Sequence, residues 1–141
     1  MSKIVYILIA MVLLSACSKV KQTKKQLAGD WEVVTYKYTN ANGNSYYYDA
    51  STSVIYFDNC ESDVCDYSMD IIYDNQGVID TLSLSGSYQF SDKKGEYYDM
   101  TVDNSLQNDT IKDARIILIT KDDLLTEYKY NDGLHTLVLK K

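Results

Sequence analysis

Apolar and polar residues alternate with a period of two along most of the chain beyond residue 27. In the segment 65–73, for example, Tyr67, Met69, Ile71 and Tyr73 alternate with polar residues, which is typical of a strand with one buried face. The abundance of Tyr, Thr, Ile and Val also favours strands. The pattern predicts about eight strands, near residues 31–38, 53–59, 65–73, 79–90, 96–103, 113–120, 124–130 and 134–140.

Short glycine-containing segments separate several of these predicted strands, as at Asn75-Gln76-Gly77 and Asn131-Asp132-Gly133. Glycine there supplies the positive φ of a tight hairpin turn. Because the connections are short, successive strands should pair antiparallel. A sheet of about eight such strands hides its edges by closing on itself. The predicted fold class is therefore all-β, an antiparallel up-and-down barrel.

The first sixteen residues have the layout of a secretory signal, with Lys3 followed by an apolar run over 4–14. As a helix this run would reach only about 16 Å, too short to span a bilayer. It ends in Leu14-Ser15-Ala16-Cys17, which resembles the lipobox of bacterial lipoproteins. That resemblance implies cleavage before Cys17, its modification by acyl chains such as palmitate, and a membrane partner. Ser18 after the lipidated residue favours the outer membrane, with the face left open.

Two cysteines remain after Cys17, at positions 60 and 65. An exported protein meets oxidising conditions, so Cys60 and Cys65 are predicted to form a disulfide. We expect a structural role, because a redox or metal site would need a two-residue spacing or a nearby histidine.

Charge divides the chain beyond the signal into two parts. Residues 17–26 hold four lysines and no acid, which predicts a flexible basic tether that lies against anionic head groups. Residues 27–141 hold nine Lys or Arg against twenty Asp or Glu, a net charge of −11. Such an acidic domain argues against a nucleic-acid partner, which requires a basic surface.

The opening Leu27-Ala28-Gly29-Asp30-Trp31 is similar to the Gly-x-Trp start of lipocalins. Together with the lipobox and tether, it most resembles the small lipocalin-like lipoproteins of Bacteroidetes, in which a lipidated Cys precedes an eight-stranded barrel. The resemblance implies a lipocalin-like β-barrel over residues 27–141. Lipocalins stack an Arg on the motif Trp, and Lys140 is the substitute expected here.

A barrel of this size can hold one small ligand or fill its interior with side chains. Trp31 fits two roles, a plug at one barrel end or a surface on which a ligand stacks. The candidate ligand-binding residues are those expected to point inwards: Trp31, Tyr67, Met69, Tyr88, Phe90, Tyr98 and Met100.

No catalytic residue, metal site or cofactor is predicted. His135, the one histidine, stands apart from any nucleophile motif, and the paired carboxylates at Asp122-Asp123 fall in a turn. The acids around the cysteine pair lack the ligand spacing of a calcium loop.

Two non-enzymatic functions stay open. In the first, the membrane-anchored barrel binds a small apolar or amphipathic molecule in its mouth. In the second, the barrel docks a protein partner of the cell envelope through its acidic, tyrosine-rich surface, to which Tyr46-Tyr47-Tyr48 would contribute. The family resemblance favours the first, but a fold by itself does not fix a function.

Overall fold

The computed structural model describes residues 19–103 and 109–141, which form one helix and nine strands. The predicted signal and Cys17 lie outside the described residues. Helix α1 spans residues 19–27. The strands are β1 Gly29–Thr39, β2 Ser45–Tyr48, β3 Val54–Phe57, β4 Cys65–Asn75, β5 Val78–Phe90, β6 Tyr97–Val102, β7 Asp109–Ile119, β8 Asp123–Tyr130 and β9 Gly133–Lys140.

Eight of the strands close into an antiparallel barrel. From β3 to β9 each strand pairs with the next along the chain, and β1 pairs with β3. The ring closes where β1 pairs with β9, from Glu32 opposite Lys140 to Thr39 opposite Leu134. The all-β antiparallel barrel predicted from the alternation is confirmed.

Strand β2 is an addition to the predicted set. It pairs with Tyr36–Thr39 of β1, whereas β3 pairs with Gly29–Glu32 on the same edge of β1. Three consecutive tyrosines carry no polar–apolar alternation, so the period of two does not reveal this strand.

The start of β7 also differs from the prediction, at Asp109 instead of residue 113. Asp113 has a positive φ of 54°, and the pairing of β7 with β6 shifts register between the Tyr98–Ala114 and Met100–Ile111 pairs. An extra residue of this kind interrupts the alternation, which explains why the first four residues of the strand were missed.

Inward side chains fill the barrel, and glycine is required at one position of β5, where the backbone of β6 lies too close for a side chain. Along β4 the buried residues Cys65, Tyr67, Met69 and Ile71 alternate with exposed ones, as the period predicts. A Cβ on Gly86 of β5 would lie 2.2 Å from the carbonyl oxygen of Thr101. Any other residue there would push β5 and β6 apart.

A flexible tether was predicted over residues 17–26. In the part of this segment that the structure describes, the chain instead forms helix α1. Val20, Thr23 and Leu27 share one helical face at spacings of three and four, and Thr23 and Leu27 are buried against the barrel. Lys21 and Lys25 lie on the exposed side. An amphipathic segment with this spacing packs as a helix even when it is rich in lysine.

Candidate functional site

The two ends of the barrel are built differently. At one end, where β1 begins and β9 finishes, α1 lies across the opening; we call this the helix end. Leu27 and Trp31 there are fully buried, and the indole Nε1 of Trp31 donates to the carbonyl oxygen of Leu27 at 2.7 Å. The helix therefore plugs this end.

The opposite end, where β1, β4 and β8 finish and β9 begins, carries a group of aromatic side chains; we call it the tyrosine end. Its inward-facing rings form the tyrosine cluster, which consists of Tyr36, Tyr38, Tyr46, Tyr48, Tyr73, Tyr130 and His135. Only Tyr36 and His135 of this set are buried, and the others keep part of each ring in solvent. Aromatic rings that are half covered in this way can contact a ligand without first being uncovered.

Three rings of the cluster pack against one another where β1, β2 and β4 meet. The centroids of Tyr48 and Tyr73 are 4.8 Å apart, those of Tyr36 and Tyr73 are 5.1 Å apart, and those of Tyr36 and Tyr48 are 5.5 Å apart. These are normal distances for stacked and edge-to-face pairs. Strand β2, which the sequence did not predict, thus brings Tyr48 to the barrel opening.

The base of the cluster is a hydrogen-bonded histidine. The Nε2 atom of His135 lies 3.1 Å from the carbonyl oxygen of Tyr130, which can only accept, so Nε2 carries the proton. Nδ1 is then the acceptor for the hydroxyl of Tyr36 at 2.9 Å. The ring stacks on Tyr128 with centroids 4.9 Å apart. Burial lowers the pKa of His135, which keeps it neutral at pH 7.

The phenols of Tyr36 and Tyr73 stay protonated at neutral pH. Burial, followed by the neighbouring Tyr73 and Tyr48, raises the pKa of Tyr36 well above its ordinary value. Burial, followed by the nearby carboxylate of Asp80, also raises the pKa of Tyr73. These two residues therefore offer neutral rings with hydroxyl groups.

A glycine makes room for one of these rings. A Cβ on Gly133, the first residue of β9, would lie 2.0 Å from Cε2 of Tyr38. The side chain of Tyr38 therefore folds over the start of β9, towards His135, and their ring centroids are 5.2 Å apart.

The candidate ligand-binding residues from the sequence lie deeper in the barrel than the tyrosine cluster. Trp31, Tyr67, Met69, Tyr88, Tyr98 and Met100 are at most 3% exposed, and Phe90 packs against them partly buried. Buried hydroxyls in this set bond within the protein: Tyr88 donates to the carbonyl oxygen of Asp58 at 3.0 Å, and Tyr98 lies 2.7 Å from Oγ1 of Thr126. The structure brings these seven residues together as core, and their contact with a ligand stays a prediction.

Two grooves lie on the outer surface near the tyrosine end. One of about 400 Å³ runs between residues 39–41 and 129–134, and one of about 260 Å³ lies against residues 112–115 and 127–129. None of the seven predicted residues lines either groove.

Five residues of the cluster were missed by sequence reasoning, namely Tyr36, Tyr38, Tyr73, Tyr130 and His135. The available signal was the direction of successive hairpins, which places the ends of the first, third and seventh predicted strands at the same barrel end. The tyrosines near those three strand ends could therefore have been predicted to lie together. Tyr46-Tyr47-Tyr48 was singled out, and the structure separates its members: Tyr46 and Tyr48 face the cluster, while Tyr47 lies outside, under Nζ of Lys37.

The predicted disulfide is confirmed: Cys60 and Cys65 are bonded, with their Cα atoms 5.6 Å apart. Cys65 begins β4 at the helix end, and the loop that the bond closes accepts a hydrogen bond from Lys24 of α1 at Ser62. The disulfide therefore lies beside the plug.

A cation does cover Trp31, but it is the neighbour of the expected one. Nζ of Lys141 lies 4.6 Å from the centre of the indole ring, whereas Lys140 points outwards in β9. The alternation explains this, since Leu139 faces inwards and Lys140 must then face solvent.

Within residues 19–103 and 109–141, no three His, Cys, Asp or Glu side chains lie close enough together to hold a metal ion. The helix in the same described ranges lacks the length and apolar character needed to cross a bilayer.

Comparison with known proteins supports the fold. A redesigned β barrel of known structure superposes with a TM-score of 0.53 at 15% identity, over 84% of this chain and 94% of that one. No family model matches the chain, and no curated protein matches it. At this identity the likeness concerns the eight-stranded barrel alone.

Proposed function

We propose that this chain is a lipid-anchored barrel that binds a small apolar or amphipathic molecule at its tyrosine end. The difference between the two ends carries the proposal: Trp31 and α1 plug one opening, while half-covered rings line part of the other. Ligands enter small barrels at their mouths. The Gly-x-Trp start, which resembles that of lipocalin-like lipoproteins, supports the same function.

Binding can be tested with N-phenyl-1-naphthylamine, an uncharged probe whose fluorescence rises in an apolar site. The chain should carry Cys17→Ser, so that no acyl chain of its own competes. We expect a Kd in the micromolar range. Tyr48→Ser should weaken binding by about fivefold, because it removes a ring of the cluster, whereas Tyr47→Ser should leave the Kd unchanged. No binding of this probe would refute the proposal.

The tryptophan reports which part of the barrel the ligand contacts. Trp31 is the only tryptophan of the chain, and it lies at the helix end. A ligand that does not absorb near 340 nm, such as dodecanol, should leave the Trp31 emission unchanged when it binds at the tyrosine end. A change in emission on binding would instead support the deeper set of residues predicted from the sequence.

The anchor is a separate part of the proposal. Lipidation of Cys17 in the cell envelope is supported by the lipobox. Mass spectrometry of the mature protein should find acyl chains on Cys17, and Cys17→Ala should move the protein out of the outer-membrane fraction. An unmodified Cys17 would remove the anchor and leave the binding proposal standing.

The second candidate function, docking of an envelope protein, is favoured by the outer side of β2. Tyr47 is 70% exposed, and β1 is the one strand that pairs with β2 among the described residues. Crosslinking in the native membrane should then recover one stoichiometric partner that is lost in Tyr47→Ser. The two candidates are separable, because Tyr47→Ser affects docking and Tyr48→Ser affects the cluster.

A further inference from the structure

A carboxylate lies among the inward-facing residues of the tyrosine end. In the β4–β5 hairpin Tyr73 pairs with Asp80, and the hydroxyl of Tyr73 donates to Oδ2 of Asp80 at 3.4 Å. Two residues further into the barrel the same face carries Ile71 and Leu82, which belong to the core or pack against it. Asp80 therefore stands on the inner face of the hairpin, directly above apolar side chains.

The cations near this end lie on the outer face of the wall. Nζ of Lys37 lies 5.5 Å from the centre of the Tyr47 ring, and Lys112 forms an ion pair with Asp99 at 2.9 Å. Lys129 occupies an exposed position in β8 between the inward Tyr128 and Tyr130. Of the ion pairs found among residues 19–103 and 109–141, none includes Asp80. The inner face of this end is thus acidic, with no lysine or arginine at an inward strand position in the described part of the chain.

The remaining groups of the cluster do not compensate this charge. Burial lowers the pKa of His135, so the ring is neutral at pH 7.5, and its two nitrogens are already bonded to the hydroxyl of Tyr36 and the carbonyl oxygen of Tyr130. The ring faces of tyrosines carry the negative side of the aromatic quadrupole and attract cations. A positive head group would meet both the rings and Asp80 favourably, whereas a carboxylate head group would be repelled by Asp80.

We propose that the tyrosine end selects cationic amphiphiles, which carry an ammonium group on an apolar chain, over anionic ones such as fatty acids. This rests on the proposed binding function and adds the charge class of the ligand. The apolar part lies against the half-covered rings and the partly exposed Leu82, and the ammonium group lies beside Asp80 and Tyr73.

Three ligands with a twelve-carbon chain test the selection: dodecyltrimethylammonium and dodecanoate, each below its micelle concentration, and dodecanol below its solubility limit. Each is titrated against bound N-phenyl-1-naphthylamine at pH 7.5 and low salt. We expect dodecyltrimethylammonium to displace the probe at about fivefold lower concentration than dodecanoate, with dodecanol between them. Added salt should reduce the difference.

Asp80→Asn is the decisive variant, and Asp66→Asn, at the helix end of β4, is its matched control. Both remove one exposed negative charge from the same hairpin. Asp80→Asn should reduce the preference for the ammonium by about threefold, and Asp66→Asn should leave it unchanged. The melting temperature of each variant checks that the fold is kept.

Each outcome is distinguishable. Equal or tighter binding of dodecanoate overturns the charge selection while the binding function stands. Equal effects of the two variants overturn the local role of Asp80, since the net charge of the domain would then explain the preference. Failure of the naphthylamine probe itself to bind would remove the binding function, and the selection with it.

Discussion

The two ends of this barrel use their aromatic residues in opposite ways. At the helix end Trp31 is fully buried, donates to Leu27 and lies under the ammonium group of Lys141. At the tyrosine end most rings of the tyrosine cluster keep a face in solvent, and only Tyr36 and His135 of that cluster are buried. Aromatic residues at the first end are part of the core, and those at the second are available for contact.

The number of aromatic residues at an opening therefore does not show whether they can contact a ligand. The exposed fraction of each ring shows it. A helix of nine residues, 19–27, makes the difference. It shields Trp31, while the structure describes no corresponding helix over the tyrosine end in residues 19–103 and 109–141. We therefore expect stability to reside at the helix end and binding at the tyrosine end.

The largest effect should come from Trp31→Ala, which leaves a cavity in the plug. We expect a loss of about 3–5 kcal/mol in the free energy of unfolding, measured by urea denaturation. Tyr73→Ala, which removes a half-buried ring at the other end, should lower it by about 1 kcal/mol. Equal losses would show that the two ends do not differ in their contribution to stability.

Reduction of the Cys60–Cys65 disulfide should have the next largest effect. Closing so short a loop stabilises by about 2 kcal/mol in the chain-entropy model, so the reduced protein should unfold at lower urea concentration. Because the bond lies at the helix end, the affinity for N-phenyl-1-naphthylamine should be unchanged in conditions where the reduced protein is still folded. A parallel loss of affinity would mean that the two ends are coupled.

The barrel could be predicted from the sequence because its core obeys one local rule, the alternation along strands such as β4. The disulfide followed from spacing and compartment in the same way. What the sequence did not show depends on contacts between distant segments. Residues 19–27 are rich in lysine, and only their packing on the barrel identifies Thr23 and Leu27 as buried.

The site was predictable only in part, for a similar reason. The sequence shows Tyr46-Tyr47-Tyr48 as a run of aromatic residues. Which of the three face inwards depends on the pairing of β2 with β1, and the local sequence pattern does not predict that pairing. Tyr36 and Tyr73 lie 37 positions apart in the sequence, and their rings are 5.1 Å apart in the structure. Their meeting depends on β3, which pairs with β1 on one side and with β4 on the other and so makes these two strands near neighbours in the sheet.

His135 should give the tyrosine end a pH dependence that the helix end lacks. Burial lowers its pKa below 6.5 in the folded state, so the unfolded chain binds the proton more readily. The stability it contributes is complete above about pH 6.5 and is lost as the pH falls through the folded-state pKa. We expect the loss of stability on acidification to be smaller than the loss on reduction of the disulfide, because the hydroxyl of Tyr36 can turn to accept from the protonated ring.

Urea denaturation between pH 5.5 and 7.5 measures this dependence. The chain has one histidine, so His135→Phe should flatten the curve over that range. If His135→Phe keeps the wild-type change of stability with pH, another titratable group causes it.

The smallest effect should come from the cation above Trp31, and it decides between two adjacent lysines. Nζ of Lys141 lies 4.6 Å from the indole centre and donates to the carbonyl oxygen of Gln26 at 2.8 Å, so it joins β9, α1 and the plug. Lys141→Ala should lower the free energy of unfolding by about 1 kcal/mol and shift the emission of Trp31. Lys140→Ala, one position away on the outer face, should change neither by a measurable amount.

If Lys140→Ala had the larger effect, the closing strand would be shifted by one residue, and the inward positions of β9, including His135, would have to be reassigned.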